Sequence, residues 1–255
     1  MSNVSRQTSY ENIHDDYRFF LEHCNEHEVG RGAMLEEIFQ ALGPVSALRW
    51  LDFGCGGGEF LAEALEQWTA KPASLRLSLV DVDSGYVEQA MGRVNALVDQ
   101  VEGSDELESL SGPFDLITSN HALYFAADIE ATLKGLNERL AEGGLCFLQI
   151  GGLENQFCRM WTEAYSKVNQ PVPYYIADDF AVTLEKLGIA FSTRRIDCVT
   201  RFADTVENRK IMLNFIFMDA VGRFDEAYLL SLFDRYSTNG QISMENNNLC
   251  FLVRK

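Results

Sequence analysis

The chain has 255 residues, 47% of them apolar and 23% charged, which suits one sizeable α/β domain with additions. A formal charge of −17 argues against nucleic-acid phosphates and anionic membranes as partners, because no basic patch is available to release their counterions. A small neutral or cationic partner suits the chain better. Six scattered cysteines without a C-x-x-C pair read as reduced thiols. With a polar N-terminus and no apolar run of membrane-spanning length, they predict a soluble, cytoplasmic protein.

Helical spacing of Tyr17, Phe20 and Leu21, then of Met34, Ile38, Phe39 and Leu42, predicts a helical prelude over 10–43 that Gly43-Pro44 ends. A short apolar strand follows at 48–53, then a glycine turn and a helix over 59–68. Leu75, Leu77, Leu79 and Val80 make a second strand that closes on Asp81, and 85–97 reads as a helix. The acidic stretch 100–112 is read as a short strand with a solvated loop. Strand 114–120, helix 129–140, the pair Gly143-Gly144 and strand 145–150 complete the alternation. Such alternation of short apolar strands with helices predicts a parallel sheet covered on both faces. Beyond 153 the expected elements are helices near 155–168, 178–187, 205–221 and 225–236, a strand near 190–199 and a last strand at 248–253. The organisation is read as one domain, 1–255. It has an N-terminal helical cap (1–45), a cofactor-binding half (46–152), and substrate-side insertions with C-terminal strands (153–255).

Residues 51–58 read Leu-Asp-Phe-Gly-Cys-Gly-Gly-Gly. Glycine is required where backbone takes φ > 0 or approaches a ligand closely, and a glycine turn between strand and helix is where open α/β folds hold nucleotide-like ligands. A lone glycine turn is a weak signal, because dinucleotide-binding folds use a similar one. Here Gly54, Gly56 and Gly58 lack the third-glycine spacing that favours a pyrophosphate, and no basic residue lies in the turn. Asp52 and Glu59 bracket it with negative charge instead. Asp81, 27 residues after Gly54 and at the end of the second strand, can accept hydrogen bonds from both hydroxyls of an unmodified ribose. A phosphate-free, cationic adenosine compound fits this set: S-adenosylmethionine (SAM).

These motifs resemble the class I SAM-dependent methyltransferases over residues 48 to about 150. The resemblance implies a Rossmann-like fold, with a mostly parallel seven-stranded sheet, helices on both faces and a helical substrate cap. It also implies that Gly54, Gly56 and Gly58 pass the cofactor's methionine part, with Asp52 beside them. Asp81 would hold the ribose, with Tyr86 opening the next helix, Ser104 approaching the adenine and Asn120 lending backbone. Flanking segments are similar to the histamine N-methyltransferase family. They are Phe20–His27, Leu123–Lys134, Phe157 with Trp161, Tyr175–Phe180 and Asn246–Leu249. That likeness places the amine-holding, catalytic set on Glu26, His121 and Asn247, with His121 standing where the family has glutamine. Tyr124, Phe125, Phe157 and Trp161 would wall the site and attract a substrate cation through their π faces.

The reading that follows is N-methylation of a small amine, foremost an imidazole nitrogen of histamine or a histidine-like metabolite, by a monomer. Alternatives are O- or S-methylation of a small metabolite with His121 as general base, or a SAM-binding module without catalysis. His23-Cys24-Asn25-Glu26-His27 also fits a helical zinc signature, but a zinc site needs a third ligand and no metal is expected. Glu26 as a solvated helix residue, His121 as a structural histidine, the aromatics as core and Asn247 as a turn residue are the bland alternatives.

Overall fold

The computed structural model describes residues 14–255; residues 10–13 of the expected first helix lie outside the described residues. The elements begin α1 (His14–His23), α2 (Glu26–Leu42), β1 (Ala47–Phe53), α3 (Glu59–Gln67), β2 (Ser74–Val80), α4 (Ser84–Val94), β3 (Gln100–Ser104) and β4 (Phe114–Asn120). Then come α5 (Ile129–Arg139), β5 (Leu140–Asn155), α6 (Gln156–Lys167), α7 (Ala177–Lys186), β6 (Phe191–Ile196) and β7 (Val199–Ala203). The chain ends with α8 (Val206–Phe217), α9 (Glu226–Ser231), β8 (Ser237–Thr238) and β9 (Gln241–Arg254).

One sheet runs β3-β2-β1-β4-β5-β9-β6. Its first five strands are parallel to their neighbours, and β9 lies antiparallel between β5 and β6. This is the Rossmann-like architecture that the resemblance implies. Consecutive strand residues face opposite cores, which is why the strands read as near-continuous apolar runs. Trp50, Leu116 and Phe147 enter one cluster, while Leu51, Ile117 and Leu148 enter the other. Strand order reverses between β1 and β4, the topological switch point at which open α/β sheets bind ligands outside the strands' carboxyl ends. Among the described residues no helix is long and apolar enough to cross a membrane.

Three expectations change. The helical prelude breaks at Cys24-Asn25, because Asn25 pairs with β7: its Oδ1 accepts from Val199 N at 2.8 Å, and its N donates to Val199 O at 3.3 Å. To the seven strands of the expected sheet two short ones are added, since β7 and β8 pair with the early part of β9 and so lengthen the last strand beyond 248–253. Ile242 and Met244 are buried while Gln241, Ser243 and Glu245 are exposed, a period-2 pattern too polar to read as a buried strand. The helix expected over 205–221 ends at Phe217, and Met218 takes φ 46° before a 3-10 turn. That break lets α8 lay Phe215 on Phe20 of α1, with stacked rings 4.3 Å apart.

Candidate functional site

The turn after β1 follows from its glycines. Gly54, Gly56 and Gly58 take φ of 76°, 50° and 81°. A Cβ on Gly58 would stand 2.8 Å from Ala90 Cα, so only glycine lets the turn press against α4. Around Gly56 a Cβ would meet nothing within 4 Å, and this open side of the turn is where a ligand can lie. The turn is tied to β2: Gly54 N and Cys55 N donate to Val80 O at 2.7 and 3.0 Å. Gly56 N donates to Asp81 Oδ2 at 2.9 Å, and Asp83 N to Asp81 Oδ1 at 3.1 Å.

Each Asp81 oxygen therefore keeps a lone pair for a ribose hydroxyl. Burial pushes its carboxyl up, against the pull of the backbone donors. Val82 beside it is 74% exposed, an apolar surface left for an adenine to cover. Ser104 closes β3 next door, where its O accepts from Asp81 N at 3.3 Å. Its hydroxyl, however, is taken up locally by Ser109 Oγ (2.5 Å) and Glu106 N (3.1 Å).

Asp52 lies beneath the turn. Thr118 Oγ1 donates to its Oδ1 at 2.6 Å, and Trp50 Nε1 donates to Thr118 Oγ1 at 2.7 Å. Burial raises the Asp52 carboxyl to about 6. Burial next to Asp52 and Asp81 also pushes the Cys55 thiol up, which keeps it protonated and no nucleophile. Asn120 ends β4 with its Oδ1 buried and unpaired, an acceptor still available to a ligand.

Helices α1 and α2 bring Tyr17, His27 and Arg31 toward the helix that follows the turn. Tyr17 Oη lies 3.1 Å from His27 Nε2, and the His27 ring stands edge-on to Phe60, 5.4 Å away. Burial, with Glu26, Glu59, Tyr86 and Glu63 nearby, pushes the Tyr17 phenol up. Burial pushes the His27 imidazole down. Arg31, on the same side of α2, is ion-paired to Glu63 at 2.6 Å, while its buried Nε has no partner. A glycine turn, a ribose-type acid, an exposed apolar flank and two orphaned buried polar atoms fit SAM.

Beside this cradle sits a polar cluster. His121 follows β4 in the left-handed region (φ 52°), held by its N donating to Gln149 O at 2.9 Å. Backbone strain of this kind gathers at functional sites. Its Nε2 is 3.0 Å from Gln149 Nε2 and 3.4 Å from Glu26 Oε1, and its Nδ1 is 3.2 Å from Tyr124 Oη. Glu26 is 7% exposed, and Asn248 Nδ2 donates to its Oε2 at 2.8 Å. Glu26 can come this close because α2 presents Gly30 to Gln149, where a Cβ would clash at 2.8 Å.

Tyr124, Phe157 and Trp161, the residues expected to form an aromatic wall, are buried beside this cluster, with Phe125 one ring further out. Tyr124 and Trp161 meet edge-on at 5.4 Å, and Phe157 packs on Phe20 at 5.9 Å. Phe125 reaches the wall through Tyr174, which packs against Trp161 at 4.8 Å.

One expected residue is displaced. Asn247 points to the other face of β9, where its amide nitrogen reaches Asp197 Oδ1 (3.2 Å) and its oxygen Arg195 Nη2 (2.6 Å). Adjacent strand residues alternate faces, so the asparagine beside Glu26 and His121 is Asn248. Gln149 was also missed. Its signal was a polar residue inside the apolar run Cys146–Ile150, and buried amides are placed for their partners. His23 and His27 do not share a site: His23 Nδ1 lies 2.8 Å from Phe19 O, whereas His27 faces Tyr17.

Comparison with known proteins gives the family and the fold. Residues 14–191 match the model of a methyltransferase domain. A ubiquinone biosynthesis O-methyltransferase of Chelativorans sp. (strain BNC1) is 31% identical over 175 residues, which span 60% of this chain and 66% of the relative. The N-methyltransferase NodS of Bradyrhizobium japonicum, solved with S-adenosyl-L-homocysteine (SAH), superposes with a TM-score of 0.55 at 16% identity, over 98% of this chain and 99% of its own. A protein of Thermotoga maritima described as a SAM-dependent methyltransferase, possible histamine N-methyltransferase, gives 0.52 at 17% identity, over 96% and 98%. At such identities the structural likeness is one of fold.

Proposed function

We propose that this chain, which belongs to the methyltransferase-domain family and is a SAM-dependent methyltransferase, acts on a small neutral or cationic acceptor, foremost an imidazole-type ring nitrogen. The observation that carries the reading is the buried Glu26 carboxylate, 3.4 Å from His121 Nε2, beside an aromatic wall. SAM supplies a methyl group on a sulfonium, open to in-line displacement by a lone pair. The protein's task is to orient that lone pair and to place the acceptor's proton. A neutral imidazole offers one bare nitrogen and one N–H. Glu26 accepts the N–H, which turns the bare nitrogen outward, and the faces of Tyr124 and Trp161 favour the positive charge that develops as the N–C bond forms. A buried carboxylate disfavours anionic acceptors, and the charge of −17 disfavours nucleic acid.

A second reading has a specific observation in its favour, the O-methyltransferase among the relatives. A hydroxyl acceptor must lose its proton as the O–C bond forms. His121 is the nitrogen base beside the wall, and taking that proton requires its Nε2 to release the Gln149 amide that lies 3.0 Å away.

Incubation with SAM and a panel of imidazoles, catechols and thiols, followed by release of SAH, separates the two. Turnover with imidazoles supports the nitrogen reading. Turnover confined to catechols or thiols removes it, and SAM binding without turnover on the whole panel removes both.

A further inference from the structure

We propose that Asn248 and Asn155 are positioning residues that lock the Glu26 carboxylate to the helix carrying the aromatic wall, an inference that rests on the acceptor site described above. Their side chains form one unbroken line. Asn248 Nδ2 donates to Glu26 Oε2 at 2.8 Å, Asn155 Nδ2 donates to Asn248 Oδ1 at 2.9 Å, and Asn155 Oδ1 accepts from Phe157 N at 2.9 Å and Cys158 N at 3.4 Å. The last two bonds cap α6, and α6 presents Phe157 and Trp161, four residues apart on one face.

Both asparagines are 1–2% exposed. Buried amides are expensive unless every polar end is paired, and a chain of such bonds polarises along its length. Capping α6 needs only an oxygen, which serine or aspartate would provide equally well. The nitrogen end of Asn155 has one use here, the grip on Asn248, and the nitrogen of Asn248 has the carboxylate as its nearest partner, with His121 Nε2 at 3.4 Å and Cys198 Sγ at 3.6 Å. Gly151 keeps the line open, because a Cβ there would stand 3.0 Å from Asn155 Nδ2 and 2.8 Å from Tyr124 Oη. Wall and carboxylate therefore hold a fixed spacing, and that spacing sets the size of acceptor the site takes.

The test reads the line directly, with and without SAH. In the full-length protein, Glu26→Gln removes the charge at one end, and the backbone amide resonances of Phe157 and Cys158 report at the other. The expected result is that both amides move by several linewidths in the otherwise native chain and stay in place when Asn248→Ala or Asn155→Ser cuts the line. Asn155→Ser keeps the cap oxygen, so α6 remains folded and the control stays readable. Both cutting variants should also raise KM for the imidazole acceptors of the panel about tenfold, the scale of one hydrogen bond to a charged group, while calorimetric SAH affinity is unchanged. Amides that ignore Glu26→Gln in the native chain, or that still respond in the cut variants, overturn the proposal. Absence of SAH binding would strike the cofactor assignment instead and leave the amide result standing.

Discussion

Asp52→Asn sets the stability of the fold against occupancy of the cofactor site. The carboxylate is buried under the glycine turn with one strong donor, Thr118 Oγ1 at 2.6 Å. Burial, with a smaller contribution from Asp81, carries its carboxyl from 3.8 to about 6. Over that window the folded chain holds a proton that the unfolded chain has released. Stability therefore falls as the pH rises from about 4 to about 6 and stays lower above it. At about 1.4 kcal/mol for each pH unit, the rise corresponds to about 3 kcal/mol at neutral pH. Asparagine keeps the oxygen that accepts from Thr118 and removes the charge. Urea unfolding of the ligand-free variant should show a gain on the order of 3 kcal/mol at neutral pH, shrinking to little near pH 4. SAM affinity by calorimetry should fall, because a negative charge that brackets the turn is gone. A variant no more stable than the native chain at neutral pH, or one whose gain is the same at both pH values, would refute the reasoning.

Asp81→Ala should weaken SAM binding by more than about 1 kcal/mol, since a buried acceptor is lost along with its hold on Gly56 N; unchanged calorimetric affinity would mean the ribose partner lies elsewhere. Gly58→Ala should lower the melting temperature sharply, its Cβ standing 2.8 Å from Ala90 backbone. Gly56→Ala, with open space around it, should cost only about 1 kcal/mol of backbone strain and show its loss in SAM binding; equal effects on folding would contradict the assignment of the two glycines. Glu26→Gln should raise the amine KM with SAM affinity nearly untouched, and a parallel loss of both would deny the division between the two halves of the site. Asn247→Ala, which severs only contacts to Asp197 and Arg195, should leave the acceptor KM within about twofold, a difference near RT and below the loss of one hydrogen bond. A rise matching that of Asn248→Ala would restore Asn247 to the site.

The cofactor half was legible because local rules govern it. Leu48, Trp50 and Leu51, and Leu75, Leu77, Leu79 and Val80, are buried and so read as apolar runs, and the glycines between strand and helix meet a requirement that no other residue fills. The acceptor half obeys no such local rule. Residues 246–248 are three asparagines in succession, so composition cannot say which of them turns inward. A slip of one residue exchanges the two faces of a strand, and only the pairing of Gly151 with Asn248 settles the register. The break at Asn25 was invisible for a similar reason, because its partner Val199 is 174 residues away.

This difference in encoding bears on specificity. Asp81, Gly56 and Asp83, which shape the cofactor cradle, lie within one strand–turn–helix–strand stretch. Glu26 and Asn248 are 222 residues apart, and Asn155 and Asn248 are 93 apart. A substitution in the cradle must satisfy the turn, the sheet and the ligand together, so few are tolerated. A substitution among the acceptor groups must satisfy only the neighbouring polar ends. Histidine at position 121 meets that condition, because Gln149, Glu26 and Tyr124 engage both of its ring nitrogens. On the proposed reading the acceptor can therefore change while the methyl donor stays the same, and what selects it lies in the paired ends of Glu26, His121, Gln149 and Asn248 rather than in the glycine motif.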